Sequence, residues 1–213
     1  VILVNPNSPT GVYCEDMEDI IRGILSNKNG QNNCKNIWVD ETYIEYVKGY
    51  QSLENLTEEF QELIVCKSMS KCYALSGLRA AYAVTSNANY LRKFIPPWAV
   101  SLPAQIAAIE SLNHPEYFKE QYEKIHKNRE LFSKQLSNLD FRVYPGVANY
   151  ILTELPEEYP KNSSSFVSKC REKGVFVRDA ENMGITLNSR FIRFAVRSEE
   201  ENETIIQCLN DIV

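Results

Sequence analysis

The chain has 213 residues, 44% hydrophobic and 24% charged, with 23 Lys and Arg against 28 Asp and Glu for a net charge of −5. That is ordinary for a globular protein with apolar material for one large core or two small ones. A mildly acidic chain without a basic run is a poor partner for nucleic acid or an anionic membrane, and no apolar stretch nears the roughly 18 residues of a membrane span. Six cysteines (Cys14, Cys34, Cys66, Cys72, Cys170, Cys208) form no C-x-x-C pair, and His114 and His126 are not near them. This spacing supports neither zinc binding nor a disulfide framework, and free thiols in a reducing cytoplasm are expected.

Val1-Ile2-Leu3-Val4 lacks an initiator Met and is too short for a signal peptide. It reads as a buried parallel strand entered midway, so the chain is expected to begin inside a domain. The turn Asn5-Pro6-Asn7-Ser8-Pro9-Thr10-Gly11 follows, then Met17, Ile20, Ile21, Ile24 and Leu25 at the spacing of one helix face. An Asn-rich loop from Asn27 to Asn36 leads to a strand at Ile37-Trp38-Val39, ending in Asp40-Glu41. A helical stretch is predicted near Leu56–Glu62, with strands at Leu63–Cys66 and Ala80–Val84. Strands alternating with helices argue for a parallel sheet with crossover helices.

Pro96-Pro97 breaks the chain, and 102–139 reads as strongly helical with an interruption at His114-Pro115. Strands are predicted at Arg142–Tyr144, Tyr150–Glu154, Val175–Arg178 and Phe191–Val196, and a helix at Ser163–Lys173. A last helix starts at Ser198, where Ser198-Glu199-Glu200-Glu201 has the form of a capping box. The expected organisation is two units: α/β over 1–95, and linking helices with a small α+β unit over 96–213.

Chemistry concentrates in two places. Asp40 and Tyr43 follow the end of a strand, where parallel α/β sheets bind ligands. Ser68, Ser70 and Lys71, followed by Gly77 and Arg79, combine hydroxyls, an amine and a guanidinium. Such a set suits an anion beside a reactive amine, because a guanidinium offers paired donors to phosphate and hydroxyls take its other oxygens. Either group alone would pass for a strand end or a solvated loop; together they are hard to place by chance.

These segments resemble, in order, the motif set of fold-type-I, pyridoxal-phosphate-dependent aminotransferases of class I/II. The likeness is carried by Asn-Pro-Asn-Ser-Pro-Thr-Gly, Val-Asp-Glu-Thr-Tyr, Ser-Met-Ser-Lys-Cys-Tyr-Ala-Leu-Ser-Gly-Leu-Arg and the C-terminal Phe-Ile-Arg-Phe-Ala-Val-Arg at 191–197. Val177-Arg178-Asp179 and Pro96-Pro97-Trp98-Ala99-Val100 resemble the subgroup of histidinol-phosphate aminotransferase and threonine-phosphate decarboxylase. The resemblance implies the C-terminal part of a large α/β cofactor domain, its sheet mostly parallel, followed by a small α+β domain. It implies pyridoxal 5′-phosphate held as a Schiff base by Lys71, with Asp40 on the ring nitrogen and Tyr43 on the phenolic oxygen. It further implies Ser68, Ser70 and Arg79 on the phosphate, and Arg193, Arg178 and Asn149 toward the substrate.

Two departures stand out. The family places Asn before Pro-Thr-Gly to contact the ring oxygen; here that position is Ser8, preceded by Asn7, and either could serve. The family's N-terminal portion is not in this sequence, so the chain reads as a truncated piece expected to be insoluble or inactive alone. The implied activity moves an amino group between an anionic amine and a 2-oxo acid, in a cytoplasmic homodimer. The alternatives are decarboxylation of a phosphorylated amino acid and a non-catalytic domain of a fusion protein. His114, His126, Tyr117 and Tyr122 read as surface or packing residues, Glu199–Glu201 as helix-start charge, and Cys72 as an inert buried thiol. In relatives the loop of Trp98 lies near the dimer interface.

Overall fold

The computed structural model describes residues 1–26 and 36–213; Cys34 and the Asn-rich loop, apart from Asn36, lie outside them. Two compact units emerge: residues 1–6 with 13–120, and residues 7–12 with 121–213.

In the first unit, β1 (Ile2–Val4), α1 (Met17–Ser26), β2 (Ile37–Asp40), β3 (Leu63–Ser68) and β4 (Ala81–Val84) follow in order. The sheet order is β1-β2-β3-β4, with the first three parallel and β4 antiparallel to β3. The segment from β3 to β4 holds only a 3-10 turn, Ser76–Leu78, and without a crossover helix the next strand runs back antiparallel. Met17 and Ile21 of α1 pack with Ile37, Val39, Leu63 and Val65 on one face of the sheet. Ile20, expected on the buried side of that helix, is exposed.

Two further expectations need correction. Among the described residues β1 pairs with β2 alone, and Ile2 is 77% exposed rather than buried. The predicted helix near Leu56–Glu62 is a 3-10 helix at Leu53–Thr57, begun where Ser52 Oγ accepts the N–H of Glu54 at 3.3 Å and giving way to turns before Leu63.

After β4 come α2 (Ala88–Leu91) and α3 (Leu102–Asn113), the latter capped by Ser101 with Pro103 in its first turn. α4 (Pro115–Ser137) restarts the helix after His114, and the division between the units falls within it.

The second unit holds β5 (Arg142–Val143), β6 (Tyr150–Glu154), α5 (Ser163–Glu172), β7 (Arg178–Asp179), β8 (Phe191–Ala195) and α6 (Glu199–Asn210). Its sheet is antiparallel in the order β5-β6-β8-β7. The strand predicted at Val175–Arg178 starts later, since only Arg178 and Asp179 pair with β8. Strand alternation sends Ile151, Ile192 and Phe194 into a core with Phe132, Leu136, Phe166 and Leu209 of the helices. α6 opens with the expected capping box: Ser198 Oγ accepts the Glu201 N–H at 3.3 Å, and Glu201 Oε2 accepts the Ser198 N–H at 3.2 Å. No helix of the described residues is long and apolar enough to cross a membrane.

Candidate active site

In the first unit the carboxyl ends of β2 and β3 bring Asp40, Thr42, Ser68 and Ser70 into one hydrogen-bonded set. Asp40 is half-buried; its Oδ1 accepts the Thr42 N–H at 2.9 Å, which fixes one oxygen and leaves the other to a ligand. Thr42 Oγ1 accepts the Ser68 N–H at 3.3 Å. Ser68 Oγ donates to Ser70 Oγ at 3.0 Å and accepts the Ser70 N–H at 3.3 Å, a paired-hydroxyl arrangement suited to an oxyanion. Side-chain alternation and register put Asp40, Cys66, Ser68, Ala81 and Ala83 on one sheet face. That face lines an open cleft of about 500 Å³ whose other wall includes Ala88, Leu91, Arg92 and Ile95.

Lys71 follows this set with an exposed side chain, while its carbonyl accepts from Tyr46 Oη at 3.3 Å. Tyr43 is buried, its ring centroid 6.5 Å from that of Tyr46. The loop from Lys71 to Arg79 departs from ordinary backbone geometry twice: Ala74 and Arg79 have φ of +56° and +58°. Non-glycine residues adopt that region only when their surroundings impose it, and such strain gathers at ligand sites. Arg79 Nη1 donates to the Ser76 carbonyl at 3.3 Å, and its side chain is otherwise exposed. Cys72 is a buried thiol, as expected; burial, aided by Glu45, pushes it well above its ordinary pKa, so it is no nucleophile.

On the opposite sheet face lies a cluster the sequence reading passes over. The buried Lys67 ammonium stands 3.1 Å from Glu54 and 3.5 Å from each of Glu41 and Glu45. Glu41 also accepts from Ser52 Oγ at 2.6 Å and the Leu53 N–H at 2.9 Å, and Glu54 accepts from Tyr82 Oη at 3.2 Å. Burial alone would lower the pKa of Lys67, yet Glu45, Glu41 and Glu54 together raise it, so the ammonium stays charged. Burial raises Glu41 despite the donors around it. One signal points here: a lysine directly after the apolar run Leu63–Cys66 and in the same strand, since charged residues are fully buried almost only when paired.

In the second unit the turn of residues 7–12 is pinned to the segment before β6. Val147 N–H donates to the Gly11 carbonyl at 2.8 Å, and Tyr150 Oη donates to the Asn7 carbonyl at 2.8 Å. Asn7 Oδ1 is held by Thr10 Oγ1 at 2.9 Å. Ser8 Oγ accepts from Arg193 Nη1 at 3.1 Å, and the Arg193 guanidinium lies 4.7 Å from the Tyr150 ring centroid, a cation–π contact. Arg178 of β7 is the direct cross-strand partner of Arg193. Like charges opposite one another are unfavourable, so this register favours an anion shared by two guanidiniums. The Asn149 carbonyl accepts the Val196 N–H at 2.9 Å. Tyr150, which shelves Arg193, was visible in the sequence only as a strand residue.

The expected residues thus fall into two groups: Asp40, Tyr43, Ser68, Ser70, Lys71 and Arg79 in the first unit, and Asn7, Ser8, Asn149, Arg178 and Arg193 in the second. The first group fits pyridoxal phosphate by its donor set: an acid for a ring nitrogen, a phenol for a ring oxygen, an amine for an aldehyde, and hydroxyls with a guanidinium for a phosphate.

Residues 1–209 match the family described as aminotransferase class I and II. A histidinol-phosphate aminotransferase of Archaeoglobus fulgidus is 32% identical over 215 residues, covering all of this chain and 58% of that protein. One from Methanococcus maripaludis is 29% identical, over all of this chain and 56% of its own length. The chain therefore spans a little over half the length of these curated relatives. The crystal structure of a histidinol-phosphate aminotransferase from Clostridium acetobutylicum superposes with a TM-score of 0.86 at 26% identity, over all of this chain and 63% of that one. An L-threonine-O-3-phosphate decarboxylase from Porphyromonas gingivalis shares the fold, with a TM-score of 0.82 at 24% identity over 99% of this chain and 63% of that one.

Proposed function

Because this chain belongs to the aminotransferase class I and II family, we propose that it forms the catalytic part of a pyridoxal-phosphate-dependent aminotransferase acting on an anionic amine. The observation that carries this reading is the set at the ends of β2 and β3: Asp40 tied to Thr42, Thr42 to Ser68, and Ser68 to Ser70, with Lys71 next in the chain.

When bound, pyridoxal phosphate supplies an electron sink for the charge left at the substrate's α-carbon. Lys71 Nζ would hold the cofactor and would be the base that moves the substrate's α-proton. The other Asp40 oxygen would hold the proton on the ring nitrogen. Tyr43 would donate to the ring oxygen, and Ser68, Ser70 and Arg79 would hold the phosphate. Ser8 and Asn7 both keep a proton to donate: the Ser8 hydroxyl accepts from Arg193, and Thr10 engages the Asn7 side-chain oxygen, not its amide NH2. Arg193 and Arg178 would bind the substrate's anionic group, and Asn149 is a further candidate for it. The named relatives' phosphorylated substrate suits a pair of guanidiniums, which makes a phosphorylated amino alcohol or amino acid the substrate class. The full chain works as a homodimer, supported by exposed Phe94, Ile95, Trp98, Leu102, Ile106 and Ile109 in the first unit.

The test is the absorption spectrum of the full-length protein with pyridoxal phosphate. A visible band that borohydride traps, and that Lys71→Ala lacks, is expected. A protein that stays colourless overturns the reading. Product analysis then separates the chemistry: transfer to 2-oxoglutarate supports transamination, whereas carbon dioxide release without it identifies a decarboxylase.

A further inference from the structure

The carboxylate cluster around Lys67 lies on the sheet face turned away from Asp40 and Ser68, yet Glu41, Glu45 and Lys67 are each built into a segment that carries a candidate site residue. Glu41 follows Asp40 directly, and Glu45 sits in the 3-10 turn Ile44–Tyr46 that begins after Tyr43. Lys67 precedes Ser68 on β3 and is the cross-strand partner of Tyr82 on β4. Glu54 joins that tyrosine to the 3-10 helix at Leu53–Thr57. The ammonium is thus the point at which the exit of β2, the exit of β3 and strand β4 meet. Side chains touching the cluster are the carboxylates of Glu41, Glu45 and Glu54, the Tyr82 hydroxyl, the Ser52 hydroxyl and the ring of Tyr50, which lies 5.8 Å from Lys67 Nζ. Cys72 and Tyr73 sense the charge of Glu45 from the Lys71 segment.

The charge arithmetic makes this more than packing. Three carboxylates face one ammonium, and without it the two buried ones, Glu41 and Glu45, would repel each other and the partly exposed Glu54. Glu41 and Glu45 belong to the 40–46 segment, so any backbone movement that relieved this repulsion would carry Asp40 and Tyr43 with it. That segment is laced to the Lys71 side by Thr42 to Ser68, Cys72 Sγ to the Thr42 carbonyl at 3.2 Å, and Tyr46 Oη to the Lys71 carbonyl at 3.3 Å. We propose that Lys67 is a positioning residue: by holding Glu41, Glu45 and Glu54 it sets the Asp40–Tyr43 segment against the Ser68–Lys71 segment. The inference rests on the cofactor reading above and adds a residue that touches neither cofactor nor substrate.

The experiment uses the full-length protein as wild type, Lys67→Met, Lys67→Arg and Glu54→Gln. Three quantities are read: pyridoxal phosphate affinity of the cofactor-free form by fluorescence, the pH midpoint of the visible band, and melting temperature. Lys67→Met is expected to weaken cofactor binding about tenfold or more and, by removing a positive charge, to raise the midpoint by about half a unit. Lys67→Arg restores both. Glu54→Gln removes a partly exposed negative charge and shifts the midpoint the other way, and it stands as the deciding variant if Lys67→Met does not fold. Variants that melt lower but keep the wild-type affinity and midpoint would make the cluster purely structural and overturn the proposal. A wild type that binds no pyridoxal phosphate overturns the cofactor reading, and this inference with it.

Discussion

Replacing Gly146 by Ala tests the docking of the 7–12 turn, which carries Ser8. A Cβ on Gly146 would stand 2.9 Å from the Thr10 carbonyl oxygen, 3.2 Å from Gly11 Cα and 3.3 Å from the Gly11 carbonyl oxygen. All three are backbone atoms, and the turn is held at this point by the 2.8 Å bond from Val147 N–H to the Gly11 carbonyl. No side chain can rotate away, so relief requires the two backbones to separate. Overpacking of this kind costs about 1–3 kcal/mol, while the loss of glycine's freedom in the unfolded chain returns about 0.4–1 kcal/mol. The net destabilisation is about 1–2 kcal/mol, which for a chain of this size lowers the melting temperature by roughly 2–8 °C. Gly23→Ala is the control: Gly23 lies inside α1 with nothing within 4 Å of its added Cβ, so alanine there is expected to stabilise by about 0.8–1 kcal/mol. Both variants are read by thermal and denaturant unfolding. A Gly146→Ala protein as stable as wild type, beside a stabilised Gly23→Ala, would show that the turn is not packed against residues 146–147 as described.

Ser8→Ala removes the acceptor for Arg193 Nη1 while the Tyr150 ring stays in place. A hydrogen bond to a charged group contributes about 1.5–3 kcal/mol, so KM for an anionic amine should rise roughly tenfold or more, and an unchanged KM removes Ser8 from that role. Phe194 is fully buried, with the rings of Phe132 and Phe141 at 5.9 and 5.7 Å; Phe194→Ala is expected to cost about 3–5 kcal/mol in denaturant midpoint. Glu201 is held below the ordinary carboxylate range by Arg197 and then by Ser198. Its folded pKa is lower than its unfolded one, so its contribution is complete above the unfolded value and fades as pH falls through the folded one. Glu201→Gln should therefore flatten the acid limb of the stability curve, and an unchanged limb would mean that the capping box does not form in solution.

Residues whose role depends on near neighbours in the chain were legible from the sequence. Met17, Ile21, Ile24 and Leu25 mark a helix by their own spacing, Ser198 and Glu201 announce a cap, and the segment from Ser68 to Arg79 concentrates donors whatever the fold around it. The same locality explains the errors: the 3-10 turn at Leu53–Thr57 depends on Ser52 and on Glu41 accepting the Leu53 N–H, a bond spanning 12 residues that no periodicity reveals. The register that sets Arg178 opposite Arg193 likewise joins residues far apart in the chain, and one slipped residue would turn either side chain to the other face. The Lys67 cluster is the clearest case. Its charges are spread over Glu41, Glu45, Glu54 and Lys67, each unremarkable alone, and only the close approach of parallel strands β2 and β3 makes them one buried group. Composition and local pattern thus determined which chemistry the chain carries, and tertiary structure decided which charges meet, because burial and strand register are properties of segments brought together across the sequence.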